Sequence, residues 1–382
     1  MARATSSGNF VSEWYGHRVY PVVTKAEQAL ADQRAKRCPF LSLATLTPRE
    51  CVKPPAASGV CTVSSNSNGP RQDWLACPYR ALDANLLQRA VSRVFQLSDD
   101  PAPLVIPAPA LADVAARSAA QARLTAGGAL YVYLQNKLGG EISIPSSARS
   151  PEFAFDSTVV ELVVRDGAPS LTRYGILELQ TMDFHGSFRN VVANLTDGLR
   201  LHPDRFHAMI EENQARWLGE RVEGPNIANV FKRTFYQMLF KFHIGAHEPC
   251  AGCILAIPLS VWDSWQRHLG RPDLVAKPDG TSELFLPTRA PGARVPAWIF
   301  VFDLVTTPDR TPDELVLVHQ IATDAEAIAH YAVRVAPDAA VMAGGVTANI
   351  IETIRRRIAG YWPELFPPMA ARRPRRGPSV DR

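Results

Sequence analysis

The sequence predicts an α/β protein, a mixed sheet flanked by helices, preceded by a small cysteine-bearing module and followed by a basic tail. Three observations carry this. Beyond residue 130, β-rich segments alternate with helical ones. Four of the six cysteines fall in the first hundred residues. Asp156 and the pair Glu178 and Gln180 lie on neighbouring strand-like runs, where a hairpin would gather two carboxylates and an amide.

Residues 1–100 contain few long periodic segments and the low-complexity stretch Val63-Ser-Ser-Asn-Ser-Asn-Gly69, which suggests a loop-rich, metal-stapled module. A Pro-rich connector follows, Asp100-Pro-Ala-Pro-Leu-Val-Ile-Pro-Ala-Pro109, leading into an Ala-rich helix from about Leu111 to Leu124. Residues 101–366 form the expected core. Strands are predicted at Leu130 to Leu134, Phe153 to Val164, Tyr174 to Met182, Cys253 to Ile257, Trp298 to Leu304 and Leu315 to Ile321. The clearest helix runs from about Ile227 to His243, with an apolar stripe at helical spacing and Lys232, Arg233 and Lys241 assigned to its other side. Residues 367–382, with Arg372-Arg-Pro-Arg-Arg376, read as a disordered basic tail.

With 46% hydrophobic and 20% charged residues in 382, the composition is that of a soluble globular protein and excludes a disordered or fibrous one. No run reaches the roughly eighteen apolar residues of a membrane span, and Met-Ala-Arg-Ala-Thr-Ser-Ser-Gly8 lacks a signal peptide's apolar core; a bacterial cytoplasmic address is expected. The net charge is +4, but the last fourteen residues hold five Arg and one Asp, which is also +4. The folded body is therefore close to neutral.

Asp156 closes the apolar run Phe153-Ala-Phe, Val159 to Val164 continues it to the turn Arg165-Asp-Gly167, and Arg173 to Met182 returns. The strand period of two puts Glu178 and Gln180 on one face and Leu179 on the other. Two carboxylates so placed repel, and a divalent cation would relieve the repulsion. The alternative is a hairpin with polar residues on its wet face. Buried carboxylates need a reason, and Gly139-Gly-Glu141 offers a third upstream.

Cys38, Cys51, Cys61 and Cys77 are separated by twelve, nine and fifteen residues, without a C-x-x-C knuckle. In a reducing cytoplasm the choice lies between a four-thiolate metal site and scattered buried thiols. Cys250-Ala-Gly-Cys253 has the knuckle form but abuts an apolar run without a second pair, and reads as ordinary thiols.

Several motifs together resemble the NotI family of type II restriction endonucleases along nearly the whole chain. They include Gly16-His-Arg-Val-Tyr-Pro21, Lys137-Leu-Gly-Gly-Glu141, Ser150-Pro-Glu-Phe-Ala-Phe-Asp156, Leu177-Glu-Leu-Gln-Thr-Met-Asp-Phe-His-Gly-Ser187 and Asn229-Val-Phe-Lys-Arg-Thr-Phe-Tyr-Gln-Met238. The resemblance implies a PD-(D/E)xK nuclease core that acts on double-stranded DNA as a homodimer, joined to an N-terminal module holding one iron in four thiolates. Cys38, Cys51, Cys61 and Cys77 fall on the ligand positions, with zinc the alternative metal. Asp156, Glu178, Gln180 and Glu141 fall on the catalytic ones. A companion DNA methyltransferase in the host is implied as well.

The expected reaction is Mg²⁺-dependent hydrolysis of both strands at a G/C-only palindrome such as GCGGCCGC, or a relative built on CGGCCG. Asp156, Glu178 and the Leu179 main-chain carbonyl would hold one ion, and Glu141 could help place a second. Gln180 stands where most of the superfamily has Lys and brings no positive charge, so activity should depend steeply on magnesium. Gln33, Arg34, Lys232 and Arg233 are candidate DNA contacts, and the cysteine module should position them. Stripping its metal is then expected to abolish specific binding and leave the catalytic metal's affinity unchanged. A metal-stapled DNA-binding regulator or a repair nuclease are the alternatives.

Overall fold

A computed structural model describes residues 8–98, 101–307, 310–342, 346–362 and 364; the tail expected over 367–382 lies outside the described residues. The first hundred residues build a four-stranded antiparallel sheet in the order β2-β1-β3-β4, from β1 (Phe10–Trp14), β2 (His17–Arg18), β3 (Val60–Ser65) and β4 (Gln72–Leu75). Helices α1 (Glu27–Arg34) and α2 (Pro39–Thr45) fall between its second and third strands. This is more regular than the loop-rich module expected. The strands are short, and β1 and β3 are buried on both faces, so they leave no apolar-polar alternation to read.

After α3 (Ala84–Phe95), capped by Asp83 accepting from the Asn85 and Leu86 amides, the chain enters a nine-stranded mixed sheet. Edge strand β5 (Val105–Pro107) runs parallel to β6 (Leu130–Gln135), with α4 (Val114–Thr125) between them. The short pair β7 (Ile142–Ile144) and β8 (Phe153–Phe155) stands apart from the main sheet. The long hairpin β9 (Ser157–Arg165) and β10 (Ala168–Leu179) rejoins it. Helices α5 (Arg189–Leu201), α6 (Phe206–Gly219) and α7 (Ile227–Gly245) then lead to β11 (Cys250–Pro258), which is parallel to β10. The remaining strands are β12 (Val275–Ala276), β13 (Ser282–Leu284), β14 (Ala297–Val305) and β15 (Glu314–Thr323), giving the order β12-β13-β15-β14-β11-β10-β9-β6-β5. All six predicted strands and both predicted helices are present; the Phe153 segment is broken at Asp156. Among the described residues no helix is long and apolar enough to cross a membrane.

The two faces of this sheet are covered by different helices. Leu177, Ile254, Ala256 and Phe300 pack with Leu86, Val91 and Val94 of α3, whereas Ile176, Leu255, Ile257 and Ile299 pack with Val230, Met238 and Phe242 of α7. Strand alternation therefore sends even-numbered residues near the end of β10, Glu178 among them, towards α7. At Gly175 the approach of α3 is so close that a Cβ would lie 2.7 Å from the Val94 side chain.

The first hundred residues share their apolar interior with the rest. Cys38, Cys61 and Cys77 belong to the same cluster as α3 and the large sheet, and Val11, Trp14, Val60 and Val63 pack against Val191 and Leu195 of α5 and Ile210 of α6. A buried ionic network crosses the same boundary. Arg80 donates to Glu13 at 3.1 Å and to the Asp313 carbonyl at 2.7 Å, and Arg18 bridges Asp73 and Asp313 at 2.6 Å each. Burial raises the Glu13 carboxyl's pKa, but Arg80 and Arg18 outweigh it and hold that value below the ordinary one. Arg80→Met should cost about 3–5 kcal/mol in reversible urea unfolding, because it takes from the buried Glu13 carboxylate its hydrogen-bonded cation. Adding Glu13→Gln should recover part of that loss.

Candidate active site

Asp156 sits where the chain changes partner. Residues before it pair with β7, residues after it pair with β6 and β10, and Asp156 itself belongs to neither strand. The β9–β10 register sets Leu177 opposite Ser157, so Glu178 comes opposite Asp156 one step on. Glu178 Oε1 accepts from the Asp156 amide at 3.2 Å, and Asp156 Oδ2 accepts from the Leu179 amide at 3.1 Å. The two carboxylates predicted to meet do meet. Glu178 is 7% exposed, and burial, with Asp156 adding to it and Lys241 opposing, pushes its pKa up to about 8. Asp156 is raised as well, chiefly by desolvation.

Both carboxylates line a cleft of about 650 Å³, together with Leu179, Gln180, Glu141 and Arg233. Glu141 reaches it through Gly139 and Gly140, both in the left-handed region at φ +94° and +93°, and accepts from Asn136 at 3.1 Å. Gln180 is more tightly engaged than an amide free to orient water: its Oε1 accepts from Thr234 of α7 and its Nε2 donates to the Thr181 carbonyl.

Lys241 corrects the sequence reading. Assigned there to the wet side of its helix, it is 2% exposed, and its Nζ donates to Glu178 Oε2. The signal was present in the spacing. Thr234, Met238, Lys241 and Gly245 form one buried stripe of α7, which a lysine at its centre disguises. The site therefore holds a positive charge that Gln180, just past the end of β10, lacks.

The four N-terminal cysteines line one small pocket with Tyr15, Lys53 and Tyr79. Backbone amides point at the sulfurs. The Gly59 amide donates to Cys51 Sγ at 3.3 Å, the Leu41 and Phe40 amides at the start of α2 serve Cys38, and those of Tyr79 and Arg80 serve Cys77. Burial pushes the Cys38 thiol up to about 12. Pairing with Cys77 and burial also push Cys61 up, while the Cys61 hydrogen bond and Lys53 draw Cys77 down. Amide and ammonium donors around clustered sulfurs fit a thiolate-bound Fe or Zn. Among the described residues no three His, Cys, Asp or Glu are drawn together as an assembled metal group, so both clusters are donor sets rather than closed cages. Cys250 and Cys253 are buried, free thiols in β11, raised chiefly by burial.

Val52, Lys53 and Tyr79 line both the cysteine pocket and the cleft. The two pockets therefore share a wall. Of the candidate DNA contacts, Arg233 lines the cleft and pairs with Asp183 at 2.8 Å, and Lys232 is exposed beside it. Arg34 is exposed and donates to the Pro203 carbonyl at 2.9 Å. Gln33 is 1% exposed with its oxygen bonded to His207 at 3.0 Å, which removes it from any surface a duplex could touch.

Because folding raises the Glu178 pKa, the folded state is favoured while that carboxyl is protonated. Its contribution is complete below the ordinary value of 4.5 and is lost as pH rises through about 8. In chelator, Glu178→Gln should melt close to the native chain at about pH 5 and progressively above it towards about pH 8; calorimetric melting curves check this. No protein-family model matches the chain, and no curated protein matches it significantly.

Proposed function

We propose that the chain is a type II site-specific deoxyribonuclease of the PD-(D/E)xK class that hydrolyses both strands of a G/C-only palindrome in double-stranded DNA. The observation that carries this reading is Asp156 facing Glu178 across β9 and β10 in a cleft that also holds Glu141 and Gln180. Asp156 and Glu178, with the Leu179 carbonyl, would hold magnesium; when bound it neutralises the phosphate and activates water for displacement of the 3′ oxygen. Lys137 and Arg233, exposed at the cleft, give a phosphodiester backbone cations to meet. Asn136 orients Glu141, and the Leu179 amide orients Asp156.

Cutting both strands of a palindrome requires two such clefts related by a two-fold axis, hence a homodimer on the DNA. The cysteine module, holding a single Fe or Zn, supports one wall of the cleft. A host carrying this activity needs a methyltransferase that protects the same sequence.

Incubating unmethylated G/C-rich DNA of known sequence with the protein and Mg²⁺, then sequencing the ends, tests the reading. Discrete ends sharing one palindrome are expected. Binding without cutting would turn the assignment to a regulator, and smears or nicks to a repair nuclease. Asp156→Asn should lower cleavage by more than about a thousandfold while gel-shift binding survives. Purified protein should also carry a single Fe or Zn per chain by elemental analysis. Cys77→Ser should lose it and weaken Mg²⁺ binding in the cleft, through the wall at Lys53 and Tyr79.

A further inference from the structure

We propose that Lys241 is a positioning residue of the nuclease site, supplying from α7 the positive charge that position 180, occupied by Gln, does not. The proposal rests on the nuclease reading above and adds a residue to it. Glu178 divides its two oxygens: Oε1 faces the Asp156 amide, and Oε2 accepts from Lys241 Nζ. The carboxylate is thereby fixed in rotation and aimed at the cleft.

Lys241 is the only fully buried lysine among the described residues. Its Nζ lies 6.0 Å from the centre of the Phe155 ring, one residue before Asp156. An ammonium taken so far out of water is costly unless a partner or a task compensates it, and Glu178 is a partner already crowded by Asp156. The same helix face binds both strand positions, through Thr234 to Gln180 and through Lys241 to Glu178. Gln180 is occupied as a tether, and the cation comes from the helix lying over it.

A cation behind Glu178 has two opposite consequences. It competes with a divalent ion for the same carboxylate, and it stabilises the negative charge that accumulates on a phosphate during hydrolysis. Removing it should tighten magnesium binding and slow the chemistry. A lysine that only supported the fold would weaken both.

The experiment compares the native chain, Lys241→Met, and Gln180→Lys combined with Lys241→Met. Mg²⁺ affinity is read by titration calorimetry, single-turnover cleavage at saturating Mg²⁺ by gel, and folding by thermal melting. Lys241→Met is expected to bind Mg²⁺ on the order of tenfold more tightly and to cleave on the order of 100-fold more slowly. Returning the charge to the strand should move both values back towards native. A folded charge-swap variant as slow as Lys241→Met overturns the proposal, as does Lys241→Met that binds Mg²⁺ more weakly or cleaves at the native rate. If Lys241→Met does not fold, the charge-swap variant decides alone, and failure of both to fold makes Lys241 a purely structural partner and overturns the proposal. A native chain that cuts no DNA, while Lys241→Met still tightens Mg²⁺ binding, sinks the nuclease reading and upholds the placement of Lys241.

Discussion

Two carboxylates held face to face across an antiparallel ladder repel each other, and one of them lies in the dry layer between a sheet and a helix. That constraint shapes the architecture around the cleft. Glu178 is turned towards α7 by strand alternation, and α7 presents Lys241 to it there. Asp156 needs the interruption between β8 and β9, because a continuous strand would commit its backbone to the ladder and leave no local kink at the cleft edge. Gly139 and Gly140 bend the chain so that a third carboxylate arrives from the loop before β7. Each departure from regular structure near residue 156 serves this one concentration of negative charge.

The N-terminal region is held by a different means. Its sheet packs its apolar side chains against α5, α6 and the large sheet, with Glu13, Arg18, Asp73, Arg80 and Asp313 in a shared ionic lattice. Charges buried across a boundary are intolerant of displacement, since each unpaired group carries its full desolvation penalty. Sliding or hinging at this seam is therefore opposed more strongly than at an apolar contact of the same size. Residues ordered by the cysteine cluster are consequently fixed relative to the carboxylates.

Much of the core was legible because its signals are local. The period of two through Glu178 and Gln180, the turn Arg165-Asp-Gly167 and the apolar flank before Asp156 together predict a hairpin, and the register then brings the carboxylates together without further information. The stripe on α7 was equally plain, yet Lys241 was assigned to solvent, because its partner lies sixty-three positions away and only the packing of helix on sheet reveals it. Gln33 failed for a similar reason: its tie to His207 spans 174 positions. The sheet of the first hundred residues was obscured by strands buried on both faces, where periodicity carries no information.

Lys53 is tied to both pockets. Its ammonium donates to the carbonyls of Val60 at 2.7 Å and Ala76 at 2.9 Å, each adjacent to a cysteine, while its own segment borders the cleft. Val52, Lys53 and Tyr79 thus form a party wall, finished on both sides. Anyone replacing the N-terminal residues with a foreign module would have to carry that wall along with the cysteines. A chimera joined at the Pro-rich connector, where the sequence invites a cut, would remove one side of the chamber it was meant to redirect.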